Sequence, residues 1–574
     1  MELPRVIANQ SRRLVLAALL ASGAASAAPA ADTVLTGGRI YTPTGWAEAV
    51  AISNGRIVRV GSTARVLELA SGQTARVELK GRTVLPGLFD MHIHPIMAGN
   101  GAEGECRISP DDNADALLKA LDACVRSKPD GSWITGAQWQ AGSLAGAPIT
   151  AATLDKVSPD HPVMLFDVSG HSLWVNSRAL AAAGIDRTTK DPEAGIIERD
   201  GNGEPTGLLR ESARNLVFRF IPQPTAAQNL AALRSSSKLL LSMGVVGFTD
   251  AMAFEPDLET YRTLAERGEL HQSVRACMAY THAGAKVPGF EGMVGRQKNY
   301  MVGKLQADCV KIFTDGVPTE SHTSAMVEPY VPARPGDPVD SGHLLIPPDE
   351  LAQAVTRFDK MGLVVLFHAA GDGAVRAAFD AIQSARSANG PKGPAHQVGH
   401  STFIAPTDMP RARALGATIE FSPYLWQPTA INKDIEKAVG PDRIARAWPI
   451  REALDAGSLV VAGSDWAVVP SPDPWLAIET SVTRKAPGTD GPSFAPAQAI
   501  TVREAVDMFT SAGARQMGLA ARMGTIEEGK QATIIILDRN PLEIAPTEIH
   551  KVQVLETWVD GRRVFDRASI PNAR

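Results

Sequence analysis

The 574-residue sequence has little of the features that mark several protein classes. It contains four cysteines, too few for a small disulfide scaffold, and none has the C-x-x-C spacing of a redox or zinc-ribbon site. A net charge of −5 leaves no basic surplus for nucleic acid. The 50 glycines and 40 prolines stay below the level typical of disorder or collagen. Composition therefore excludes a collagen, a coiled coil, an integral membrane protein and a disulfide-dense mini-domain.

The N-terminal segment has the pattern of a processed leader. Arg12 and Arg13 precede a short apolar run over residues 14–21, and Ala25-Ser26-Ala27 matches a cleavage site. The run is shorter than the roughly 20 residues that a membrane-spanning helix needs. We therefore predict a signal peptide over residues 1–27, of twin-arginine or Sec type. The mature protein would be periplasmic or secreted, without a membrane span; the alternative is a disordered cytosolic leader.

An exported chain can form disulfides. Cys106 and Cys124 lie in one segment of the sequence, and we expect them to pair with each other. Cys277 and Cys309 lie in apolar, strand-like runs. We expect each of these two to be a buried small hydrophobic residue.

Both ends of the chain carry patterns typical of short β-strands. Asn54-Gly55 precedes the strand-like run 56–61, which is a strong β-hairpin signal. Near the other end, residues 532–538 have the composition of a buried strand, and 552–564 indicates a strand, a turn at Asp560-Gly561 and a second strand. We predict one composite β-sandwich domain from residues 32–85 and 521–574.

The middle of the chain alternates short apolar runs with helix-like stretches, which favours parallel α/β units. Eight such runs occur, at residues 84–94, 245–251, 274–280, 309–315, 363–368, 397–401, 418–422 and 459–465. Eight units predict an α/β protein with a (β/α)₈ TIM-type barrel, formed by residues 86–103 and 226–520. The gap after the first run is too long for one crossover, so residues 104–225 are predicted to be an inserted α/β subdomain.

Histidines stand where several of these strands end. His92 and His94 flank one residue, so their side chains share one face of a strand. His368 and His400 also close predicted strands. Neutral imidazoles that meet at the mouth of a barrel suit a borderline metal such as zinc.

A lysine and an aspartate complete this set. Lys311 lies in the middle of the fourth strand, where an unpaired charge would be costly to bury. It could pair with Asp315 or Asp90, or react with carbon dioxide to give an anionic carbamate that binds metal. Asp465 ends the eighth strand, where a carboxylate can bind metal and accept a proton from water. A helix-capping role is the alternative for Asp465.

Five separated motifs in this order resemble the amidohydrolase superfamily, and within it amidohydrolase family 3, the YtcJ-like metal-dependent hydrolases. The resemblance extends from about residue 33 to 567. Its motifs are Pro86–Pro95, Val310–Gly316, Phe367–Asp372, His400 and Gly463–Asp465, with further matches at Gly170–Ser177 and Met523–Lys530.

The resemblance implies a site for two divalent metal ions, with Zn²⁺ expected. His92, His94 and Asp465 would bind the more buried ion. His368 and His400 would bind the second, and a carboxylated Lys311 would bridge the two. The implied activity is hydrolysis of an amide, N-acyl or cyclic amide C–N bond other than a peptide bond, by metal-activated hydroxide with Asp465 as general acid and base.

Other functions fit the same barrel. A mononuclear deaminase, an esterase or lactonase, and a catalytically silent binding protein are the alternatives. The expected partner is a small-molecule amide-type substrate rather than nucleic acid, and relatives make a homodimer possible.

Residues outside the ligand set are candidates for substrate contact. His322 follows the fourth strand, and Trp466 directly follows Asp465. In the insertion, His171, Trp174 and Asn176 share one motif and could form a lid. A solvated loop histidine is the alternative for His322, and core packing is the alternative for the insertion's tryptophans.

Overall fold

The computed structural model describes residues 30–570, apart from 145, 194, 222, 283–284, 333 and 427–428. The predicted signal peptide, residues 1–27, lies outside the described residues. Within the described part, no helix combines the length and the apolar composition that crossing a bilayer requires.

The first described segment forms short strands and one helix. They are β1 Thr33–Thr36, β2 Arg39–Thr42, β3 Gly45–Ala47, β4 Ala49–Ser53, β5 Arg56–Gly61, α1 Thr63–Leu67, β6 Ala75–Glu78 and β7 Thr83–Pro86. Strands β5, β4, β1 and β6 form a sheet in that order. The turn between β4 and β5 is the predicted Asn54-Gly55 pair, and both residues have positive φ, as a two-residue hairpin turn of this type requires.

The first barrel strand and a long insertion follow. Their elements are β8 Leu88–Ile93, α2 Pro95–Gly104, β9 Cys106–Arg107, α3 Ala114–Val125, β10 Ile134–Trp139, α4 Ala151–Asp155, β11 Val163–Asp167, β12 Ser172–Val175, α5 Ser177–Ala183, β13 Gly195–Arg199, β14 Pro205–Glu211 and α6 Asn215–Phe218. Strands β13, β14, β12, β11, β10 and β9 form a separate sheet in that order. Trp139, Leu165 and Trp174 from this sheet pack against Leu117 and Leu121 of α3, so the insertion has its own core.

The chain then returns to the barrel. The elements are α7 Ala226–Ser242, β15 Val245–Ala253, α8 Glu255–Glu266, β16 Ser273–Ala279, β17 Thr281–His282, β18 Ala285–Lys286, α9 Phe290–Gly295, α10 Gln297–Tyr300, β19 Leu305–Phe313, α11 Pro348–Lys360, β20 Val364–Ala369, α12 Asp372–Asn389, β21 Gln397–His400, α13 Arg411–Leu415, β22 Thr418–Phe421, α14 Ala430–Val439, α15 Pro441–Ile444, α16 Ile450–Asp455, β23 Leu459–Ala462 and α17 Pro474–Thr483. Strands β8, β15, β16, β19, β20, β21, β22 and β23 form one parallel sheet in chain order. This nearly closed sheet fits the predicted TIM barrel.

The first and last barrel strands meet just beyond their carboxyl ends. The backbone N–H of Asp465 donates to the carbonyl of His92 at 2.7 Å, and the N–H of His94 donates to the carbonyl of Trp466 at 2.6 Å. Gly463 permits this approach, because a Cβ there would overlap the Cβ of His92. The joint therefore brings the two ends of the barrel sheet together at the residues predicted to bind metal.

The C-terminal segment closes the fold against the N-terminal strands. Its elements are α18 Val502–Asp507, α19 Gly513–Gln516, β24 Ile534–Leu537, β25 Val554–Val559 and β26 Arg562–Asp566. Strands β26, β25, β24, β7, β2 and β3 form one sheet in that order, with β24 antiparallel to β7. The two ends of the chain thus share a sheet, while the sandwich arrangement and the domain boundaries stay predictions.

All four cysteines are paired. Cys106 and Cys124, which we expect to pair, form a disulfide between β9 and α3. The expectation of unbonded Cys277 and Cys309 is wrong, because these two also form a disulfide. They lie opposite each other on the neighbouring strands β16 and β19. That register depends on the assembled sheet, so two cysteines 32 residues apart gave no local signal.

Candidate active site

The six residues predicted to bind metal lie together at one end of the barrel. Parallel strands point their carboxyl ends to the same face, so residues at strand ends from distant parts of the chain become neighbours. All six side chains are buried, with exposed fractions between 1% and 8%. They are His92, His94, Lys311, His368, His400 and Asp465.

One group within this set is formed where the first and last strands meet. The Nε2 of His94 lies 3.3 Å from Oδ1 of Asp465, and the Nε2 of His92 lies 3.7 Å from the same oxygen. Candidate ligand atoms of all three residues lie within 4.8 Å of one another. Two imidazole nitrogens and a carboxylate oxygen at such distances suit one divalent ion.

The remaining ligands continue around the mouth. The ring of His400 lies between those of His92 and His368, with centroid distances of 4.6 and 4.4 Å. Lys311 Nζ is 3.2 Å from Nε2 of His92. The predicted ligands of both ions are therefore contiguous, with Lys311 beside the first group.

The acids proposed as alternative partners of Lys311 are engaged elsewhere. Asp315 accepts hydrogen bonds from the backbone N–H groups of Ala325, Ala370 and Gly371. Asp90 accepts from the backbone N–H of His92, and also from that of Ser464 at 2.9 Å. Asp315 thus joins the loop after β19 to the end of β20, and Asp90 helps to join β8 to β23.

Two hydrogen bonds determine which ring nitrogen of His368 and of His92 faces the site. The Nε2 of His368 is 3.0 Å from the carbonyl oxygen of Gly316, which can only accept, so Nδ1 of this ring keeps its lone pair. The Nδ1 of His92 is 2.8 Å from Oε2 of Glu420. When Nε2 of His92 binds a cation, Nδ1 carries the hydrogen and Glu420 accepts it.

Burial sets the charges of the histidines and of Lys311. It lowers the pKa of His92, His368 and His400 well below the ordinary value, with further lowering by neighbouring cationic groups. These imidazoles are therefore neutral at pH 7 and can donate lone pairs. Burial also lowers the pKa of Lys311 to about 8, against the opposing effects of Asp465 and Glu420.

Asp465 is an anion in this setting. Burial raises its pKa, but the hydrogen bond from His94 and electrostatic interactions with the neighbouring His92, His94 and Lys311 side chains outweigh that effect and hold the pKa below its usual value. The buried Nδ1 of His94 has no hydrogen-bond partner among the described residues. Neutral imidazoles, an anionic carboxylate and an unsatisfied ring nitrogen fit a divalent metal of the zinc type.

Two acids near the ligands were missed by sequence reasoning. Glu420 is fully buried in β22, contacts the ring of His92 and accepts from the backbone N–H of His400. Asp250 in β15 accepts from the hydroxyl of Tyr261 at 2.7 Å, and burial raises its pKa to about 6. Glu420 is an ionisable residue inside an apolar strand, where burial raises its pKa to about 8, and the reasoning that identified Lys311 could have found it.

The residues predicted to contact substrate differ in their placement. The ring of His171 lies 4.8 Å from that of His368, measured between centroids. Trp466 is half-buried, and its carbonyl accepts from the N–H of His94. His322 pairs with Asp340 at 2.8 Å and stacks on Tyr330 in the loop after β19. Roles of these three in substrate binding stay predictions.

The side chains of the insertion's other two candidates, Trp174 and Asn176, lie in its core. Trp174 is 2% exposed, packs edge-on against Trp139 and donates from Nε1 to the carbonyl of Thr150. Asn176 is fully buried and caps α5. Both side chains therefore contribute to the insertion's core, and a role for either in substrate binding stays a prediction.

Comparison with known proteins places the chain in a family. A model of the amidohydrolase family (Amidohydro_3) matches residues 76–565. The chain is 28% identical to YtcJ of Bacillus subtilis, whose name calls it an amidohydrolase, over 91% of this chain and 96% of that protein. It is also 28% identical to the N-substituted formamide deformylase of Arthrobacter pascens, over 91% and 95% of the two chains.

Solved structures of metal-dependent hydrolases have a similar fold. The structure of an uncharacterized metal-dependent hydrolase from Pyrococcus furiosus has a TM-score of 0.66 and 25% identity, covering 89% of this chain and all of that one. The corresponding hydrolase from Pyrococcus horikoshii OT3 has a TM-score of 0.69 and 23% identity, covering 90% and 99% of the two chains. The chain belongs to the amidohydrolase family, whose members are metal-dependent.

Proposed function

We propose that this protein is an exported hydrolase with two divalent metal ions that cleaves the C–N bond of a small amide, N-acyl or cyclic amide substrate. The observation that carries the proposal is the convergence of His92, His94 and Asp465 beside the rings of His368 and His400. The formamide deformylase among the relatives supports a C–N substrate.

The chain's own residues have separable tasks in this proposal. Divalent ions at the site would lower the pKa of water and polarise the scissile carbonyl. His92, His94 and Asp465 would hold one ion, and His368 with His400 would hold the other. Asp465 accepts a proton from the attacking water and returns it to the leaving nitrogen, so that the C–N bond breaks and a neutral amine departs.

Lys311 is proposed to act as a carbamate. The residue is 1% exposed and its Nζ lies 3.2 Å from a ring nitrogen of His92, and burial lowers its pKa to about 8, which makes the neutral amine accessible near neutral pH. Attack of the neutral amine on carbon dioxide forms an N–C bond and releases a proton, which converts the cation into an anionic oxygen ligand. Such a ligand suits the space between two cations.

The pairing of the cysteines supports export. Both disulfides lie within the described chain, and disulfides persist in oxidising compartments such as the periplasm and the extracellular space. Fractionation of cells that express the full chain tests this part. Folded protein that stays in the cytoplasm with residues 1–27 still attached would contradict it.

The function is tested by metal analysis and a substrate panel. Purified protein, loaded with Zn²⁺, is expected to hold two ions per chain and to hydrolyse one or more of N-acyl amines, formamides and cyclic amides, identified by product mass. A metal-free sample with full activity would contradict the mechanism. Release of ammonia from an aminated ring would instead indicate a deaminase.

Lys311→Ala separates the carbamate from the other ligands. We expect this variant to bind at most one ion per chain and to lose activity, while ¹³C NMR of the wild type under ¹³CO₂ shows a carbamate signal. His271→Ala removes an exposed imidazole before β16 and serves as the control. Full metal content and activity in Lys311→Ala would disprove the bridge.

A further inference from the structure

The insertion places the imidazole of His171 at the barrel mouth. His171 lies in the turn between β11 and β12, and its side chain is 8% exposed. Its ring centroid is 4.8 Å from that of His368 and 6.2 Å from that of Phe313. The proposed ligand set does not use His171, although its ring packs against a member of that set.

Glu211 determines how this ring is turned. The Nδ1 of His171 lies 3.0 Å from each carboxylate oxygen of Glu211, which is 1% exposed. The backbone N–H of Glu211 also donates to the carbonyl of His171 at 3.1 Å. Arg214, itself buried, lies beside this acid and donates from Nε to its carbonyl at 3.0 Å. The acid is therefore held in place and its charge is compensated.

A glycine allows the insertion's acid to reach the barrel. Gly316, in the loop after β19, accepts through its carbonyl from Nε2 of His368. A Cβ at Gly316 would overlap Oε1 of Glu211 and Oγ1 of Thr323. The same residue therefore contacts a proposed metal ligand and makes room for the acid that orients His171.

The donor and acceptor chemistry of His171 follows from this contact. A carboxylate accepts, so Nδ1 carries the hydrogen, and in the neutral imidazole Nε2 then has a lone pair. No hydrogen bond to Nε2 of His171 is made within the described residues. A substrate carbonyl also offers only lone pairs and would repel this nitrogen. A hydrogen-bond donor complements Nε2, and the donor that an amide substrate offers is its N–H.

We propose that Nε2 of His171 accepts a hydrogen bond from the N–H of the scissile amide, which makes the site selective for N–H amides over esters and N,N-disubstituted amides. The selectivity arises because an ester oxygen or an N-methylated nitrogen offers no hydrogen to this lone pair. This inference deepens the proposed function and rests on it. It assigns His171 to specificity and Glu211 to positioning.

The test compares three matched substrates that share one acyl group: a secondary amide, its N-methylated counterpart and an ester. The wild type is expected to favour the secondary amide. His171→Ala should lower kcat/KM for that amide by about 10–100-fold, the loss expected for one hydrogen bond in a buried site, with less than about a threefold change for the other two. His171→Phe keeps a ring beside His368 without a lone pair and should give the same pattern.

Metal content and ring tautomer provide readouts that do not depend on turnover. His171→Ala should keep the metal content of the wild type, with His271→Ala as the control. Long-range ¹⁵N–¹H spectra of histidine-labelled, metal-loaded protein should show His171 with the hydrogen on Nδ1. In Glu211→Gln this preference should weaken, and amide selectivity should fall with it.

Several results would overturn the inference. Equal losses on all three substrates would show that His171 serves the common chemistry, and loss of an ion in His171→Ala would make it a metal ligand. Unchanged selectivity, or a hydrogen on Nε2 in the wild type, would also disprove the contact. If the metal-loaded wild type cleaves the ester and both amides equally, this inference alone is contradicted. If it cleaves none of them, the proposed function is contradicted and the inference with it.

Discussion

The barrel mouth and the insertion core both bury polar side chains, but they satisfy them differently. In the insertion, Asn176 accepts from the N–H groups of Val163 and Ala179 and donates to the carbonyls of Ser158 and His161. At the mouth, several ring nitrogens face one another, and Nδ1 of His94 has no partner among the described residues. Groups saturated by their own chain hold the structure, whereas converging unsaturated groups are available to a ligand.

The largest effect should follow from the acid at the mouth. Asp465→Asn keeps the shape and one oxygen ligand but removes the proton acceptor, so kcat should fall by about 10³-fold, within the range for general acid–base catalysis. The measurement is kcat at saturating substrate together with metal content. Asp490→Asn changes an exposed acid and is the control. If Asp465→Asn kept more than a tenth of the wild-type kcat, Asp465 would not be the proton carrier.

We expect a substitution in the insertion core to change the stability of the protein rather than its catalysis. Trp174→Ala removes a fully packed indole and its hydrogen bond, and should lower the free energy of unfolding by about 3–5 kcal/mol. In protein that remains folded at low temperature, KM should be unchanged. Trp46→Ala removes a tryptophan that is 38% exposed and should cost far less. A raised KM with normal stability would show that Trp174 contributes to substrate binding.

The two regions also differ in how much of them the sequence predicts. The barrel and the convergence of the six proposed ligands could be predicted because alternating apolar runs indicate parallel strands, and parallel strands bring their ends together. Trp174 was placed among the substrate candidates, with core packing as the alternative, because its motif continues from a loop into β12. Along that strand Leu173 and Val175 face one cluster, and Trp174 faces another within the insertion. Local sequence does not show which side of a sheet is covered.

Contacts between distant segments explain the other omissions. Glu211 is 40 residues from His171 along the chain, and Cys277 is 32 residues from Cys309. Each pair meets only through the register of an assembled sheet. In principle, Glu420 could have been noticed as an ionisable residue in an apolar strand, but its partner His92 lies 328 residues away. A sequence can flag such a charge without naming what it contacts.

The disulfides offer a test of intermediate size. Replacing Cys277 and Cys309 together by alanine should lower the free energy of unfolding by about 3–4 kcal/mol, because a loop of this length gains conformational freedom in the unfolded chain. The matched double variant at Cys106 and Cys124 opens a shorter loop and should cost about 3 kcal/mol. Chemical unfolding of both variants measures this. If the insertion is a separate unit, the Cys106 and Cys124 variant should keep the metal affinity of the wild type.

The smallest effect should come from the acid behind the mouth. Glu420 accepts from the ring of one proposed ligand, His92, and from the backbone N–H of another, His400. Glu420→Gln keeps its size but weakens the charge-assisted contact that orients His92, so metal affinity should fall by about 10–100-fold. Competition with a chelator measures the affinity, and Glu436→Gln, at an exposed position of α14, is the control.

A second variant distinguishes an orienting role of Glu420 from a packing role. If Glu420 acts by orienting His92, then Glu420→Asp, which keeps the charge, should recover part of the metal affinity even though it leaves space in the core. A packing role predicts the reverse order, with glutamine tolerated and aspartate not. Equal affinities for the wild type and Glu420→Gln would mean that the backbone joint between β8 and β23 positions His92 without help. In that case backbone hydrogen bonds, rather than the Glu420 side chain, would fix the orientation of His92.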